Sequence, residues 1–336
     1  MPHYVGLDAS KATTSICVIN QDGEVVREGI AETDPKAIVQ FLRGEGRRYK
    51  RVGIETISFA SWLYEGLARA GLPIVCIDAH HAHQILKGRL NKTDRNDARG
   101  IAEIMRVGLY KAVHIKTRES QEAKLLLTAR RHLSVKRLAI DNLVRGALLQ
   151  SGLKIAPKHT SSFTDRAERL APVEGIVREV IDALLTARRA IDNELKRLDR
   201  LVEKLVAADP VCTRLMTAPG VGPVVALTYR SAIDVPQRFA RGRDVGVHLG
   251  MTPATYRSGN VNRQGRISHC GDEAARTALF LAAKCVLRER TRESGLKRWG
   301  LRVAAERGYL RAIVAVARGL AVTLHHMWLT ESDFRP

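Results

Sequence analysis

Four carboxylates in this chain of 336 residues fall at positions from which they could work together. Asp94 and Asp97 stand three residues apart in Lys92-Thr93-Asp94-Arg95-Asn96-Asp97-Ala98-Arg99, just ahead of the apolar run Ile101 to Met105. That spacing puts both acids on one face of a first helical turn. Like charges held so close repel unless a cation or a shared proton compensates them. Taken alone, such a pair is more often an N-cap followed by a first-turn acid. Two further acids lie upstream, Asp8 closing Tyr4-Val5-Gly6-Leu7 and Glu55 closing Arg51-Val52-Gly53-Ile54. Both stretches read as short strands that end in an acid.

The intervening elements must bring these ends together. Thr13 to Ile19 is rich in β-branched residues, Gln21-Asp22-Gly23-Glu24 supplies a turn, and Val25 to Ile30 is a third strand. Asp34-Pro35 caps a helix running to about Gly44, Phe59 to Ala70 is helical, and Pro73 to Ile77 is a strand. Three meandering strands, helix, strand, helix, strand, helix is the element order of the RNase H-like fold, in which the first and fourth strands are neighbours. Asp8 and Glu55 would then meet at adjacent strand ends, with Asp94 and Asp97 above them. Hard oxygen donors without sulfur or paired imidazole predict Mg²⁺ or Mn²⁺, and two such ions could flank a phosphate. Asp78 also ends a strand, ahead of His80, His81 and His83, and is the acid most easily mistaken for a ligand. The histidines lack a matching Cys or His pair and read as solvated or phosphate-facing.

Charge names the class of partner. Lys and Arg total 55 against 35 Asp and Glu, a formal net charge of +20. Such an excess points to nucleic acid, and with only 5% aromatic residues the affinity should come from phosphate contacts rather than base stacking. No basic amphipathic anchor, signal-peptide layout or apolar run near the roughly 18 residues of a membrane span is evident. The five scattered cysteines contain no C-x-x-C pair and fit reduced thiols. A cytoplasmic protein with no membrane partner is expected.

Thr117 to about Ser151 reads as one long helix, and Lys154 to Arg169, with Pro157 and His159, as a loop-rich connection. Beyond Glu174, Val177, Val180, Leu184, Ala187, Ile191, Leu195, Leu198, Val202 and Leu205 recur at spacings near three and four. That pattern predicts a coiled coil or a long antiparallel hairpin, within one chain or between chains. Asp209-Pro210 breaks it. Expected domains are therefore 1–115, an α/β catalytic domain; 116–208, a helical coiled-coil or assembly region; and 209–336, a mainly α C-terminal domain.

Within the last domain, Ala218-Pro219-Gly220-Val221-Gly222-Pro223 resembles a helix-hairpin-helix turn, where the N–H groups after Gly220 and Gly222 can hold a phosphate. Residues 288–311 carry eight Lys or Arg against three Glu, which suits a backbone-facing surface. Tyr256-Arg257-Ser258-Gly259-Asn260 is a Gly-, Asn- and Arg-rich loop in which Ser258 could be an exposed nucleophile. Arg257, Arg263 and Arg266 could steady a pentavalent phosphate. No histidine–acid pair stands beside the serine, so a hydrolase triad is not indicated. On residue chemistry alone a turn serine is the simpler reading, with Ser268 the second candidate nucleophile.

V-G-L-D at 5–8, G-I-E at 53–55 and K-T-D-R-N-D-A at 92–98 resemble the acidic tetrad of the DEDD transposases of the insertion sequence 110 family, whose N-terminal domain is RuvC-like. Leu249 to Arg276 is similar to that family's C-terminal transposase domain, and the resemblance makes Ser258 the catalytic serine. His269-Cys270 stands where the family often has a basic pair, which puts a phosphate contact there in question. The resemblance implies a recombinase that mobilises an insertion sequence in the bacterial cytosol or nucleoid. It implies a covalent phosphoserine intermediate, a composite site shared between protomers, and a dimer or tetramer. The oligomer would assemble around a structured bridge RNA that pairs with donor and target DNA. Asp8, Glu55, Asp94 and Asp97 would hold the metal, and Lys92, Arg95, Gly220, Gly222, Arg257, Arg263 and Arg266 would contact nucleic acid. Two rivals remain: a metal-dependent junction-resolving endonuclease that uses water, and a non-catalytic nucleic-acid-binding assembly protein.

Overall fold

The structure, a computed structural model, describes every residue except 44–47, 88–92, 156–161 and 259–260. It divides into two compact units, Met1–Lys116 and Thr117–Pro336.

The first unit is a five-stranded mixed sheet with helices on both faces. Its elements are β1 (His3–Ala9), β2 (Thr13–Ile19), β3 (Val25–Glu32), α1 (Pro35–Arg43), β4 (Tyr49–Glu55), α2 (Ala60–Arg69), β5 (Ile74–Ile77), α3 (Ala79–Leu86) and α4 (Asp94–Val107). The spatial order is β3-β2-β1-β4-β5, with β1 antiparallel to β2 and parallel to β4. The first and fourth strands are neighbours, as expected. Val5, Leu7, Val52 and Ile54 face one core with Ile38, Leu42, Leu63 and Leu67 of α1 and α2. Tyr4, Cys17 and Ile19 face another, with Ile101 and Met105 of α4. Coverage on both faces explains why β1 and β4 are apolar at successive positions rather than alternating.

One helix was not anticipated. Asp78 caps α3, accepting the His81 N–H at 2.9 Å, so a short helix separates β5 from α4. Asp78 is engaged in that cap, and the His80 ring contacts Gln84.

The second unit is helical apart from one hairpin. It contains α5 (Arg118–Gln150), α6 (Phe163–Leu170), α7 (Ile176–Ala208), α8 (Pro210–Leu215), α9 (Pro223–Ile233), α10 (Gly242–His248), β6 (Pro253–Ser258), β7 (Val261–Ile267), α11 (Glu273–Val286), α12 (Gly295–Arg307) and α13 (Tyr309–Leu329). Part of the connection expected to be loop is α6, started by a capping box between Ser162 and Asp165. Pro157 and His159 lie outside the described residues.

Helices α5 and α7 form an antiparallel hairpin within one chain. Arg130 pairs with Asp199, Arg137 with Asp192 at 3.3 Å, and Arg188 with Asp141 at 2.6 Å, so position falls along one helix as it rises along the other. The apolar seam keeps part of the expected series and departs from the rest. Leu195 and Val202 are buried as expected and Val177 and Leu184 are partly buried, whereas Val180 and Leu205 remain 45% exposed; Ile181, Leu185 and Val206, outside that series, are buried. The buried face also holds Arg188, Asp192 and Asp199, whose charges find opposite partners on α5, and that complementarity fixes the rotation.

The expected boundary at 208 does not separate two bodies. Ala123 of α5 and Val202 and Val206 of α7 share one core with α8 to α13, so the helical arm and the C-terminal region pack as one unit. By length and composition α13 could cross a membrane, contrary to the expectation that no run comes near that limit. It is instead a core helix. Ala312, Val316, Leu320 and Leu324 are buried, and the Tyr229 hydroxyl donates to the Ala321 carbonyl at 2.7 Å.

Candidate active site and nucleic-acid interface

The acidic centre is built by the way α4 lies on the sheet. Gly6 sits under the helix, where a Cβ would be 2.0 Å from the Ala98 carbonyl oxygen and 2.4 Å from the Ala102 nitrogen. Helix backbone therefore rests directly on strand backbone, which only glycine permits. Gly53 of β4 faces Ile101 and Met105 of the same helix. Arg51, near the start of β4, donates to the Met105 carbonyl at 2.8 Å, close to the C-terminal end of α4. The helix thus runs antiparallel to β1 and β4, and its first turn reaches their C-terminal ends.

Register then places each acid. Leu7 is opposite Ile54 in the parallel β1–β4 pair, so Asp8 and Glu55 are the next neighbours along the two strands. Both lie two residues beyond the glycines that face α4 and share that face of the sheet. On the helix, Asp94 continues the stripe of Ala98 and Ala102 that covers β1, and Asp97 continues the stripe of Ile101 and Met105 that covers β4. Asp94 therefore belongs over the Asp8 end and Asp97 over the Glu55 end. Thr93 fixes the turn as N-cap, accepting the Asn96 N–H at 3.2 Å. Asp94 is exposed, while Asp8, Glu55 and Asp97 are half-buried.

Four carboxylates at one sheet end, without sulfur or imidazole among them, suit a hard divalent cation in their chemistry. Among the described residues, no three His, Cys, Asp or Glu side chains close into a group able to hold a metal ion. The backbone brings the four residues to one edge; the side chains do not gather there into a cage.

In the second unit Ser258 ends β6 and pairs with Val261 of β7, where a loop was expected. The Ser258 side chain lies outside what the structure describes, as do Gly259 and Asn260. Tyr256 pairs with Arg263, and Arg257 with Asn262. Strand alternation puts positions 256 and 263 on one face of the ribbon and 257 on the other. Arg263 thus shares the face of Tyr256 and Arg257 does not. Arg257, Arg263, Arg266 and Tyr256 are exposed. Ser268 lies at the other end of the hairpin, its N–H donating to the Thr252 carbonyl at 2.9 Å. Arg276 anchors that base through the carbonyls of Leu249 and Cys270, at 3.2 and 2.5 Å.

The glycines of the other motif have separate tasks. Gly220 has φ +78°, and a Cβ there would meet the Ala282 carbonyl oxygen at 2.5 Å, so packing against α11 already requires glycine. Gly222 is the N-cap of α9 and offers no side chain to its first N–H groups. Among the basic residues of 288–311, Lys297 is buried. Its ammonium donates to the carbonyls of Glu289 and Thr291, at 3.1 and 2.8 Å, and holds a loop on which Arg288, Arg290 and Arg292 are exposed.

Comparison with known proteins identifies the class. A model of the DEDD transposases of the IS110 group matches residues 5–152, and one described as the IS116/IS110/IS902 transposase family matches residues 212–299. The transposase for insertion sequence element IS1111A of Coxiella burnetii is 27% identical over 338 residues, covering 98% of this chain and 91% of that protein. A probable family 20 transposase of Pseudomonas aeruginosa is 28% identical, covering 99% and 98% of the two chains. This chain belongs to the IS110 family of transposases. Its substrate is accordingly DNA, its activity strand cleavage and rejoining, and the family suggests use of a divalent metal.

The transposase also contains a charged residue that motif reading missed. Glu28 of β3 accepts from Arg95 at 2.6 Å and from the Nη2 of Arg99 at 2.9 Å. Arg95, expected to contact nucleic acid, is thus engaged by Glu28, although its side chain stays 69% exposed. Lys92 lies outside the described residues. Arg99, opposed by burial and helped by Arg95, holds the Glu28 carboxyl at about 2, against an ordinary 4.5. Burial, and then the Glu28 charge, push the neighbouring Cys17 thiol up to about 12. A depressed carboxylate stabilises the fold fully above its unfolded value and loses that contribution as pH falls towards its folded value. Urea unfolding at about pH 5 and about pH 2.5 should therefore show wild type losing about 1–2 kcal/mol more than Glu28→Gln, after allowance for solvent screening around Arg95. Equal losses in the two proteins would mean that the ion pairs contribute nothing.

Proposed function

We propose that the chain is a site-specific recombinase whose first unit is an RNase H-like, RuvC-like domain and whose second unit supplies a serine nucleophile. The observation that carries this reading is the antiparallel placement of α4 over β1 and β4, which takes Asp94 and Asp97 to the strand ends bearing Asp8 and Glu55. These four carboxylates would hold Mg²⁺ or Mn²⁺. When bound, the ion supplies positive charge that positions and polarises the scissile phosphate.

Ser258 attacks the phosphorus, its oxygen replacing one sugar oxygen; the serine gives up its proton as the new P–O bond forms, and the departing sugar oxygen takes one up to leave as a hydroxyl. The released sugar hydroxyl can later reverse the step on a new partner, so rejoining needs no outside energy source. Placement at one end of an exposed ribbon favours Ser258 over Ser268, which sits at the anchored base. Arg263, exposed on the ribbon that ends at Ser258, is the arginine that would neutralise the phosphate, and Tyr256 presents an exposed ring opposite it. The uncapped start of α9 after Gly222 and the exposed arginines around Lys297 give a surface for backbone phosphates. Guidance by a structured RNA, a composite site between protomers and a dimer or tetramer belong to the same reading.

A denaturing gel tests it. Incubated with cognate DNA, RNA and Mg²⁺, the wild-type protein should form a covalent protein–DNA adduct, and Ser258→Ala should form none. Cleavage without any adduct, unchanged in Ser258→Ala, would instead make the protein a hydrolytic nuclease.

A further inference from the structure

Glu28 stands where it can decide what the acidic centre binds. It lies opposite Cys17 on β2, which is itself opposite Gly6 on β1, so it shares the α4 face of the sheet two strands from β1. Two strand spacings amount to about 10 Å. Its side chain is only 12% exposed and accepts from both Arg95 and Arg99. These arginines are four residues apart on the flank of α4 that overlooks β3, while the stripes of Asp94 and Asp97 overlook β1 and β4. Glu28, Asp94, Arg95 and Ser15 line one cavity of about 540 Å³, and Ser15 is the cross-strand neighbour of Asp8.

That arrangement presents a competition. Four carboxylates at one sheet end attract any mobile cation, and Arg95 carries a guanidinium on the same helical turn as Asp94 and Asp97. Arg95 is exposed enough to swing, and the cavity it lines opens onto both Asp94 and the neighbour of Asp8. A guanidinium seated among the carboxylates would mimic the ion and exclude it. A carboxylate on β3 that holds both arginines removes that internal competitor.

We infer that Glu28 is a positioning residue of the acidic centre, which holds Arg95 and Arg99 against β3 and so keeps their guanidinium groups off the carboxylates that take a divalent cation. The inference rests on the tetrad reading given above. A purely structural role for Glu28 would weaken the fold but give the arginines no part in ion affinity.

Mn²⁺ titration of the full chain separates these cases, followed by the electron paramagnetic resonance of the free ion. Glu28→Gln should weaken Mn²⁺ binding about tenfold, because the freed guanidinium competes for the site. Adding Arg95→Gln and Arg99→Gln to that variant should restore affinity to within about threefold of wild type. Glu28→Asp, which keeps the charge, should stay near wild type and guards against a folding artefact. Unchanged affinity in Glu28→Gln, or a loss that persists in the triple variant, overturns the inference. Asp97→Ala is the reference. If Mn²⁺ binding survives in Asp97→Ala, the tetrad reading fails and takes this inference with it. If binding is lost there but untouched by Glu28→Gln, only the role of Glu28 fails.

Discussion

Asp8→Ala and Asp97→Ala should each lower strand transfer by roughly 10³-fold or more, while nucleic-acid affinity at fixed salt changes by no more than about twofold. The two acids come from opposite sides of the site. Asp8 lies in the last two residues of the central strand, and Asp97 lies on the helical stripe that covers β4. Neither residue belongs to a core cluster, so truncation removes a charge from the centre without opening a cavity in the fold. Affinity rests instead on a net charge of +20 distributed over the chain, to which the loss of one carboxylate adds a single unit. The measurement pairs a strand-transfer assay on supercoiled donor and target with filter binding and a thermal melt. Wild-type recombination by either variant would remove these residues from the chemistry. Parallel loss of binding and activity would mean that the acids are structural.

The second large effect is on folding. Gly6→Ala should destabilise the first unit by about 4 kcal/mol or more, a large share of the 5–15 kcal/mol that keeps a typical domain folded. The added methyl would sit 2.0 Å from one helix backbone atom and 2.4 Å from another. Backbone atoms of a hydrogen-bonded turn cannot rotate away as a side chain can, so α4 must lift from β1 as a body. Lifting it separates Ile101 and Met105 from Tyr4 and Cys17 and moves Asp94 and Asp97 away from the strand ends. Limited proteolysis of the full chain should show early cuts within residues 1–116, while the helical unit stays protected. A variant as resistant as wild type would mean that the helix accommodates the methyl, and the close approach would then not be what sets the acidic centre. Gly222→Ala is the natural contrast, because a Cβ there meets nothing within 4 Å.

Local chemistry made much of this legible beforehand. The strands ending in Asp8 and Glu55 carry β-branched and apolar residues that suit a sheet covered on both faces, and their order leaves few arrangements. The start of α4 was legible to within a residue: the D-x-x-D pair marked it, but the N-cap is Thr93, and Asp94 and Asp97 both lie in the first turn. What the motif reading passed over was α3, a helix of eight residues opened by the cap at Asp78, although Ala79, Ala82, Ile85 and Leu86 recur at helical spacing. The β6–β7 hairpin was missed for a different reason. Arginine, glycine and asparagine interrupt its few β-branched residues, although Gly259-Asn260 is a pair favoured in two-residue hairpin connections and offered the signal. Glu28 escaped because a lone acid in a strand has no spacing to mark it; only pairing with β2 and the approach of α4 give it partners.

The choice of seam on α7 belongs to the same class of question. The expected series and the buried one share Leu195 and Val202 and both recur at helical spacing, so periodicity alone does not choose between them. Burial of the stripe holding Arg188, Asp192 and Asp199 depends on opposite charges a long way off in the sequence, on α5. Charge, the spacing of the four acids proposed for the site and the element order of the first unit apart from α3 were legible in the sequence alone, because each is a local property of residue type and spacing. Tertiary structure decided which acid lies over which strand end, which stripe of α7 is buried, and that Arg95 is engaged by Glu28. Those outcomes depend on contacts between residues tens of positions apart, where register and close backbone approach, not propensity, set the geometry.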